Sequence, residues 1–110
     1  MKKAAVLALA LISINVQALE DVHTPFSTSA NFTNTVTINW VSVDRDRLQA
    51  RCESESRKRK MGGFTHAVEA CSFWDSDRNG RNICTIVTYK TTNMHTLGHE
   101  TRHCFQGAWH

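Results

Sequence analysis

Residues 65–90 have the sequence THAVEACSFWDSDRNGRNICTIVTYK, which is the stretch that most constrains the fold. Two runs rich in β-branched and aromatic residues, 65–74 and 82–90, flank the dipeptide Asn79-Gly80. An Asn-Gly pair favours the positive φ angles of a tight hairpin turn, and such runs are typical of strands. The stretch therefore predicts an antiparallel β-hairpin.

The elements around this hairpin complete a small domain. Residues 34–43 have apolar β-branched and aromatic side chains with a period of two, which predicts a strand. Residues 45–59 have a charged, helical pattern, and a second helix is predicted from an N-cap at Asn93 to Phe105. The predicted order is β-α-β-β-α, an α+β fold over residues 34–110, preceded by an irregular N-terminal arm over residues 19–33.

The first residues have the pattern of a secretory signal. Lys2 and Lys3 precede an apolar run from Ala4 to Ile12, and the small residues ending at Ala18 suit a signal peptidase. We therefore expect a signal peptide at residues 1–18 and an exported protein, periplasmic or secreted. The apolar run is too short to span a bilayer, so no stable membrane insertion is expected after cleavage.

Charge argues against a nucleic-acid partner. The chain has 13 basic and 10 acidic residues, with a formal net charge of +3. Two of the basic residues, Lys2 and Lys3, belong to the predicted signal peptide. The remaining charges are nearly balanced, and a nearly neutral domain has no global field to attract nucleic acid.

Four cysteines in an exported chain of this size predict two disulfides, because an oxidising compartment favours paired thiols. Three pairings are possible. We favour Cys71 with Cys84, which flank the hairpin, and Cys52 with Cys104, which would join the two helices on the same sheet.

The predicted second helix carries the motif H-E-x-x-H, with His99, Glu100 and His103. Residues four apart on a helix differ by about 6 Å of rise and about 40° of rotation, so both imidazoles point the same way. They can bind one metal ion, and Glu100 beside them can act as general base on a metal-activated water. Gly107 allows the chain to turn, and His110 is then a candidate third ligand. Three nitrogens and one water form an open catalytic zinc site.

This segment resembles the zincin metallopeptidases, and its glycine and third histidine resemble the metzincin branch, H-E-x-x-H-x-x-G-x-x-H. It departs by one residue, since three residues rather than two separate His103 from Gly107. The resemblance implies Zn²⁺, hydrolysis of peptide bonds and a small zincin-like core, disulfide-stapled here. The implied partner is a peptide or protein substrate in the cell envelope or the medium.

The two faces of the second helix are expected to differ. A helical wheel places one group of side chains toward the core, namely Met94, Leu97, Thr101, Cys104 and Phe105. The histidines at 95, 99 and 103 lie on a face rotated by very roughly 150°. This separation predicts a histidine row that faces a cleft rather than the core.

Two other classes of function remain open. A disulfide-stapled secreted protein that binds a metal or a partner without catalysis would have no use for Glu100. An immunity or inhibitor domain with an accidental motif would hold no stoichiometric metal. The sequence leaves the substrate and the oligomeric state undetermined.

Overall fold

A computed structural model describes residues 25–108 of the chain. Three strands and two helices follow in the predicted order, and two 3-10 turns, Thr28–Ala30 and Arg45–Arg47, lie outside them. The elements are β1 (Thr37–Val43), α1 (Leu48–Lys58), β2 (Cys71–Ser76), β3 (Asn82–Tyr89) and α2 (Met94–Gln106). The structure is therefore a small α+β domain. The predicted signal peptide at residues 1–18 and the candidate ligand His110 lie outside the described residues.

The three strands form one mixed sheet with the order β1-β3-β2. Strand β1 runs parallel to β3, with Thr37 opposite Ile83, and β2 runs antiparallel to β3, with Trp74 opposite Cys84. In the turn of the hairpin, Asp77 Oδ1 accepts hydrogen bonds from the backbone N–H groups of Asn79 and Arg81. Gly80 has a φ of 75°, the conformation that a glycine allows at low cost. The predicted hairpin is confirmed.

Strand β2 begins later than the sequence predicts, at Cys71 rather than Thr65. Gln49 of α1 provides the reason, because its side chain hydrogen-bonds the backbone that was expected to join the sheet. Its Oε1 accepts from the Val68 N–H at 2.9 Å, and its Nε2 donates to the His66 carbonyl at 3.1 Å. Residues 64–70 therefore form a loop fixed to α1, and this loop reaches the candidate site described below.

The two helices pack on opposite faces of the sheet. Successive residues of a strand point to opposite faces, and the core divides accordingly. On one face, Leu48 and Cys52 of α1 cluster with Cys71, Phe73 and Val87. On the other face, Cys104 of α2 clusters with Cys84 and Ile86. The sheet is thus the middle layer between two helices.

This placement overturns the favoured disulfide pairing. The structure contains Cys52–Cys71 and Cys84–Cys104, with Cα–Cα distances of 6.0 and 5.5 Å. The predicted Cys52–Cys104 bridge is wrong because the sheet lies between the two helices. The predicted Cys71–Cys84 bridge is wrong as well. Cys71 stands opposite Val87, three residues from Cys84, or about 10 Å along the strand, whereas a disulfide needs Cα atoms within about 7 Å.

Each disulfide therefore joins one helix to the strand beneath it. The bonds close loops of similar length, with sequence separations of 19 and 20 residues. Two disulfides indicate an oxidising, non-cytoplasmic environment. Within residues 25–108, no helix has the length and apolar character needed to cross a membrane.

The chain before β1 packs against the end of α2. Gln106 Nε2 donates to the carbonyl of Ser27 at 2.7 Å and to Asn31 Oδ1 at 2.9 Å. The Phe32 N–H donates to the carbonyl of Phe105 at 2.9 Å. These contacts place the described part of the arm beside the helix that carries the H-E-x-x-H motif.

Candidate metal centre

Helix α2 places the three motif residues next to the sheet. The helix begins at the predicted cap, where Asn93 Oδ1 accepts a hydrogen bond from the Thr96 N–H at 2.8 Å. The ring centroids of His99 and His103 lie 5.0 Å apart, and the ring planes meet at 73°. Spacing by four residues on a helix thus brings the two imidazoles together, as the sequence predicts.

The orientation of His103 is set by a backbone carbonyl. Its Nδ1 lies 2.6 Å from the carbonyl oxygen of Gly107. A carbonyl oxygen can only accept, so Nδ1 carries the proton in this hydrogen bond, and in the neutral ring the lone pair is on Nε2. In metal-binding histidines, a backbone carbonyl that accepts from the other ring nitrogen commonly fixes the tautomer in this way.

Gly107 can offer its carbonyl because of its backbone conformation. Its φ is 65° and its ψ is −136°, a conformation that residues with a side chain rarely adopt. This conformation ends α2 directly after Gln106. The Gly107 N–H also donates to the His103 carbonyl at 2.9 Å. The helix end therefore folds back on the histidine that it follows. The sequence predicts the turn at Gly107 but not this contact.

Strand β2 contributes a tryptophan to the same group. The Trp74 ring stacks on the His103 imidazole with an interplanar angle of 3° and a centroid distance of 5.7 Å. Trp74 is a residue that the sequence analysis missed. The hairpin register alone does not reveal it, because Trp74 reaches His103 through its position opposite Cys84 and through the Cys84–Cys104 bridge, which the sequence does not predict.

The distance between the two imidazoles is the one expected for two ligands of the same zinc ion. With Zn–N bonds of about 2.1 Å and a tetrahedral angle, two ligating imidazoles have centroids about 5 Å apart. The measured separation is 5.0 Å. Within residues 25–108, however, no group of three or more His, Cys, Asp or Glu side chains is arranged to hold a metal. The third ligand that the sequence predicts, His110, lies outside the described residues.

Glu100 lies beside the imidazoles and borders an open cavity of about 370 Å³. The exposed fraction of Glu100 is only 7%. The loop before β2 forms the opposite wall of this cavity. Its lining includes His66, Val68, Glu69, His95, His99 and Glu100. A carboxylate at the edge of a cleft is placed where a general base could meet a substrate.

The predicted division of α2 into a core face and a cleft face is wrong in part. His103 and Glu100 are buried against the sheet, together with Cys104, whereas Met94 is 79% exposed. The apolar positions of the helix instead line a second cavity with Phe26 of the arm. The reason is the disulfide to Cys84, which turns the Cys104 side of α2 toward the sheet and brings His103 beneath Trp74.

The chain has no match among protein-family models, curated proteins or solved structures.

Proposed function

We propose that this protein is a small exported zinc-dependent metallopeptidase, in which His99, His103 and His110 hold Zn²⁺ and Glu100 is the general base. The observation that carries the proposal is the 5.0 Å separation of the His99 and His103 rings beside a buried Glu100 that borders a cavity. The resemblance to zincins rests on this motif, and a zincin-like core is part of the same proposal.

The residues of α2 divide the work of hydrolysis. When bound, zinc would supply a Lewis acid that polarises the scissile carbonyl and makes a water acidic near neutral pH. His103 is held for binding through its Nδ1 hydrogen bond to the Gly107 carbonyl. The Glu100 carboxylate accepts a proton from the attacking water and then donates it to the leaving amine.

The shape of the surroundings suits an extended segment of polypeptide. The cavity is open to solvent, and it lies between α2 and the loop that leads into β2. Because the substrate would lie across the surface rather than in a deep pocket, we expect cleavage of flexible peptides or exposed loops of envelope or secreted proteins.

The first test is metal content together with peptide hydrolysis. The oxidised protein, purified without a metal-affinity tag, is expected to contain stoichiometric zinc, and the His99→Ala/His103→Ala variant is expected to lose it. The Glu100→Gln variant keeps the zinc but is expected to lose at least about 100-fold in hydrolysis of a peptide library, the contribution of a general base.

Each alternative gives a different result in this experiment. Zinc without hydrolysis that depends on Glu100 would identify a non-catalytic metal-binding protein. Absence of zinc after incubation and dialysis would make the motif an accident. A partner-binding or inhibitor domain would then be the better account of the fold.

A further inference from the structure

We propose that Trp74 is the positioning residue of the metal centre, because it fixes the plane of the His103 imidazole and protects its hydrogen bond to Gly107. This inference rests on the proposed function, and it assigns a role to a residue outside the H-E-x-x-H motif. Trp74 would not touch the zinc or the substrate; it would act through His103.

The stacking geometry restrains the rotation of the histidine ring. The two rings are parallel within 3° and their centroids are 5.7 Å apart, so the indole forms an offset stack over part of one imidazole face. Metal-binding lone pairs lie in the plane of an imidazole, and stacking therefore leaves the ring edge accessible while it opposes rotation out of that plane. The Nδ1 contact with Gly107 fixes which edge carries the proton.

The same indole lies against the backbone that accepts this proton. A Cβ atom placed on Gly107 would lie 3.7 Å from Trp74 Nε1 and 3.8 Å from two carbons of the ring. Trp74 therefore stacks on the ring that donates the His103–Gly107 hydrogen bond and lies near the residue that accepts it. Trp74 itself is partly exposed, at 39%.

Trp74 is itself held firmly with respect to α2. Its backbone pairs with Cys84 across the hairpin, and Cys84 is bonded to Cys104, the neighbour of His103. The stack and the disulfide thus connect the same pair of strands to the same turn of helix. Aromatic stacking on a rigid sheet can hold a ligand in its binding orientation before the metal arrives, which reduces the ordering cost of binding.

The chain provides a matched control in Trp40 of β1. By the strand register, Trp40 stands opposite Ile86, on the sheet face that α2 covers, but it lies at the far edge of the sheet. It is 54% exposed, and its Nε1 donates to Thr88 Oγ1 at 2.9 Å. Substituting Trp40 removes an indole from the same face without removing the cover of His103.

The experiment compares zinc affinities by competition with a chromophoric chelator. The variants are Trp74→Leu, Trp74→Phe and Trp40→Leu, and the melting temperature of each zinc-free protein reports folding. Trp74→Leu is expected to weaken zinc binding about tenfold or more, which is the usual effect of losing a residue that supports a metal ligand without touching the metal. Trp74→Phe should recover most of the affinity, because a phenyl ring can also stack, and Trp40→Leu should bind as the parent does.

The outcomes separate this inference from the proposed function. If the parent protein does not bind zinc, the proposed function is wrong and this inference is wrong as well. If the parent binds zinc and folded Trp74→Leu binds equally well, the positioning role is wrong and the metallopeptidase proposal stands. Equal weakening in Trp40→Leu would also overturn the role, because the effect would then belong to the whole sheet face.

A second measurement avoids the variants that remove the indole. The chain has three tryptophans, so the Trp40→Phe/Trp109→Phe variant retains Trp74 alone. Zinc binding at His103 should change the fluorescence of the stacked indole, with a midpoint equal to that of the chelator competition. Stoichiometric zinc binding without a change in Trp74 emission would overturn the positioning role.

Discussion

The two faces of the sheet are built alike, but they bury different chemistry. Each carries one helix, and each helix is joined to the strand beneath it by one disulfide. The α1 face encloses an apolar cluster that includes Leu48, Phe73 and Val87. The α2 face buries Glu100 and His103 beside a smaller apolar cluster. One face resembles an ordinary core, whereas the other buries the groups that the proposed chemistry requires.

The charges on the α1 side are also arranged for stability. Arg59 donates to both Glu55 and Asp75, which connects the end of α1 to β2, and its guanidinium lies 4.7 Å above the Phe73 ring. Apolar burial is favourable, whereas buried polar groups have to be matched by hydrogen bonds. We infer that the α1 face contributes most of the unfolding free energy. The α2 face contributes less, because it buries polar groups of the proposed site in place of apolar side chains.

The largest expected effects come from removing each disulfide in turn. The Cys52→Ala/Cys71→Ala and Cys84→Ala/Cys104→Ala variants should each lose about 3 kcal/mol of unfolding free energy, because their loops are nearly equal. Only the second pair is expected to lose zinc affinity as well, since only Cys104 adjoins His103. Urea unfolding and zinc competition measure the two quantities on the same samples.

A shared loss of zinc would break the comparison between the faces. If both disulfide variants bind zinc equally weakly while folded, the metal centre depends on overall rigidity rather than on the α2 face. Proteolytic mapping of the parent protein is the control, and it should recover the peptides that contain Cys52–Cys71 and Cys84–Cys104.

Leucine-to-alanine substitutions on the two helices give the next largest effect. Leu48 is buried in the α1 cluster, and Leu97 packs at the edge of the α2 cluster. We expect Leu48→Ala to cost about 3 kcal/mol, as for a fully buried leucine, and Leu97→Ala about 1 kcal/mol, as for an average substitution. Urea unfolding of both variants tests this, and equal costs would show that the α2 face has the larger core.

Local signals were sufficient to predict the order of elements. Asn79-Gly80 predicts the hairpin turn, and Asn93 predicts the start of α2. The four-residue spacing of H-E-x-x-H predicts that His99 and His103 lie together. Each of these depends on contacts between residues close in sequence. Such contacts are the part of a structure that a single sequence expresses most directly.

The side of the sheet on which each helix packs could not be predicted in the same way. It depends on how the chain crosses from β1 to β2, and α1 has a pattern too polar to reveal which face it covers. The predicted Cys52–Cys104 bridge is wrong for this reason, whereas the predicted Cys71–Cys84 bridge is wrong because of the hairpin register, which places Cys71 opposite Val87. The burial of His103 under Trp74 follows from the Cys84–Cys104 bridge. His103 therefore leaves the predicted cleft face, whereas His95 and His99 still line a cavity.

The smallest expected effect concerns pH and the α1 face alone. The hydrogen bond from Arg59, with further ones from Arg51 and Lys58, lowers the pKa of Glu55 from 4.5 to about 2. A carboxyl group with a lower pKa in the folded protein stabilises that protein above its unfolded pKa. This contribution is therefore complete above about pH 4.5 and is lost as the pH falls toward about 2. We expect a loss of about 1 kcal/mol, because Arg51 and Lys58 are largely solvated.

Glu53 supplies the control for this titration. Its carboxylate lies 3.6 Å from Arg57 on the same helix, in a partly exposed pair outside the Arg59–Asp75 connection. Urea unfolding between pH 5 and pH 2 should show a slope that Glu55→Gln removes and Glu53→Gln retains. If Glu55→Gln keeps the full slope, the acid sensitivity arises elsewhere and the assignment to Glu55 is wrong. The same pH series therefore tests whether the loss of unfolding free energy in acid arises on the α1 face.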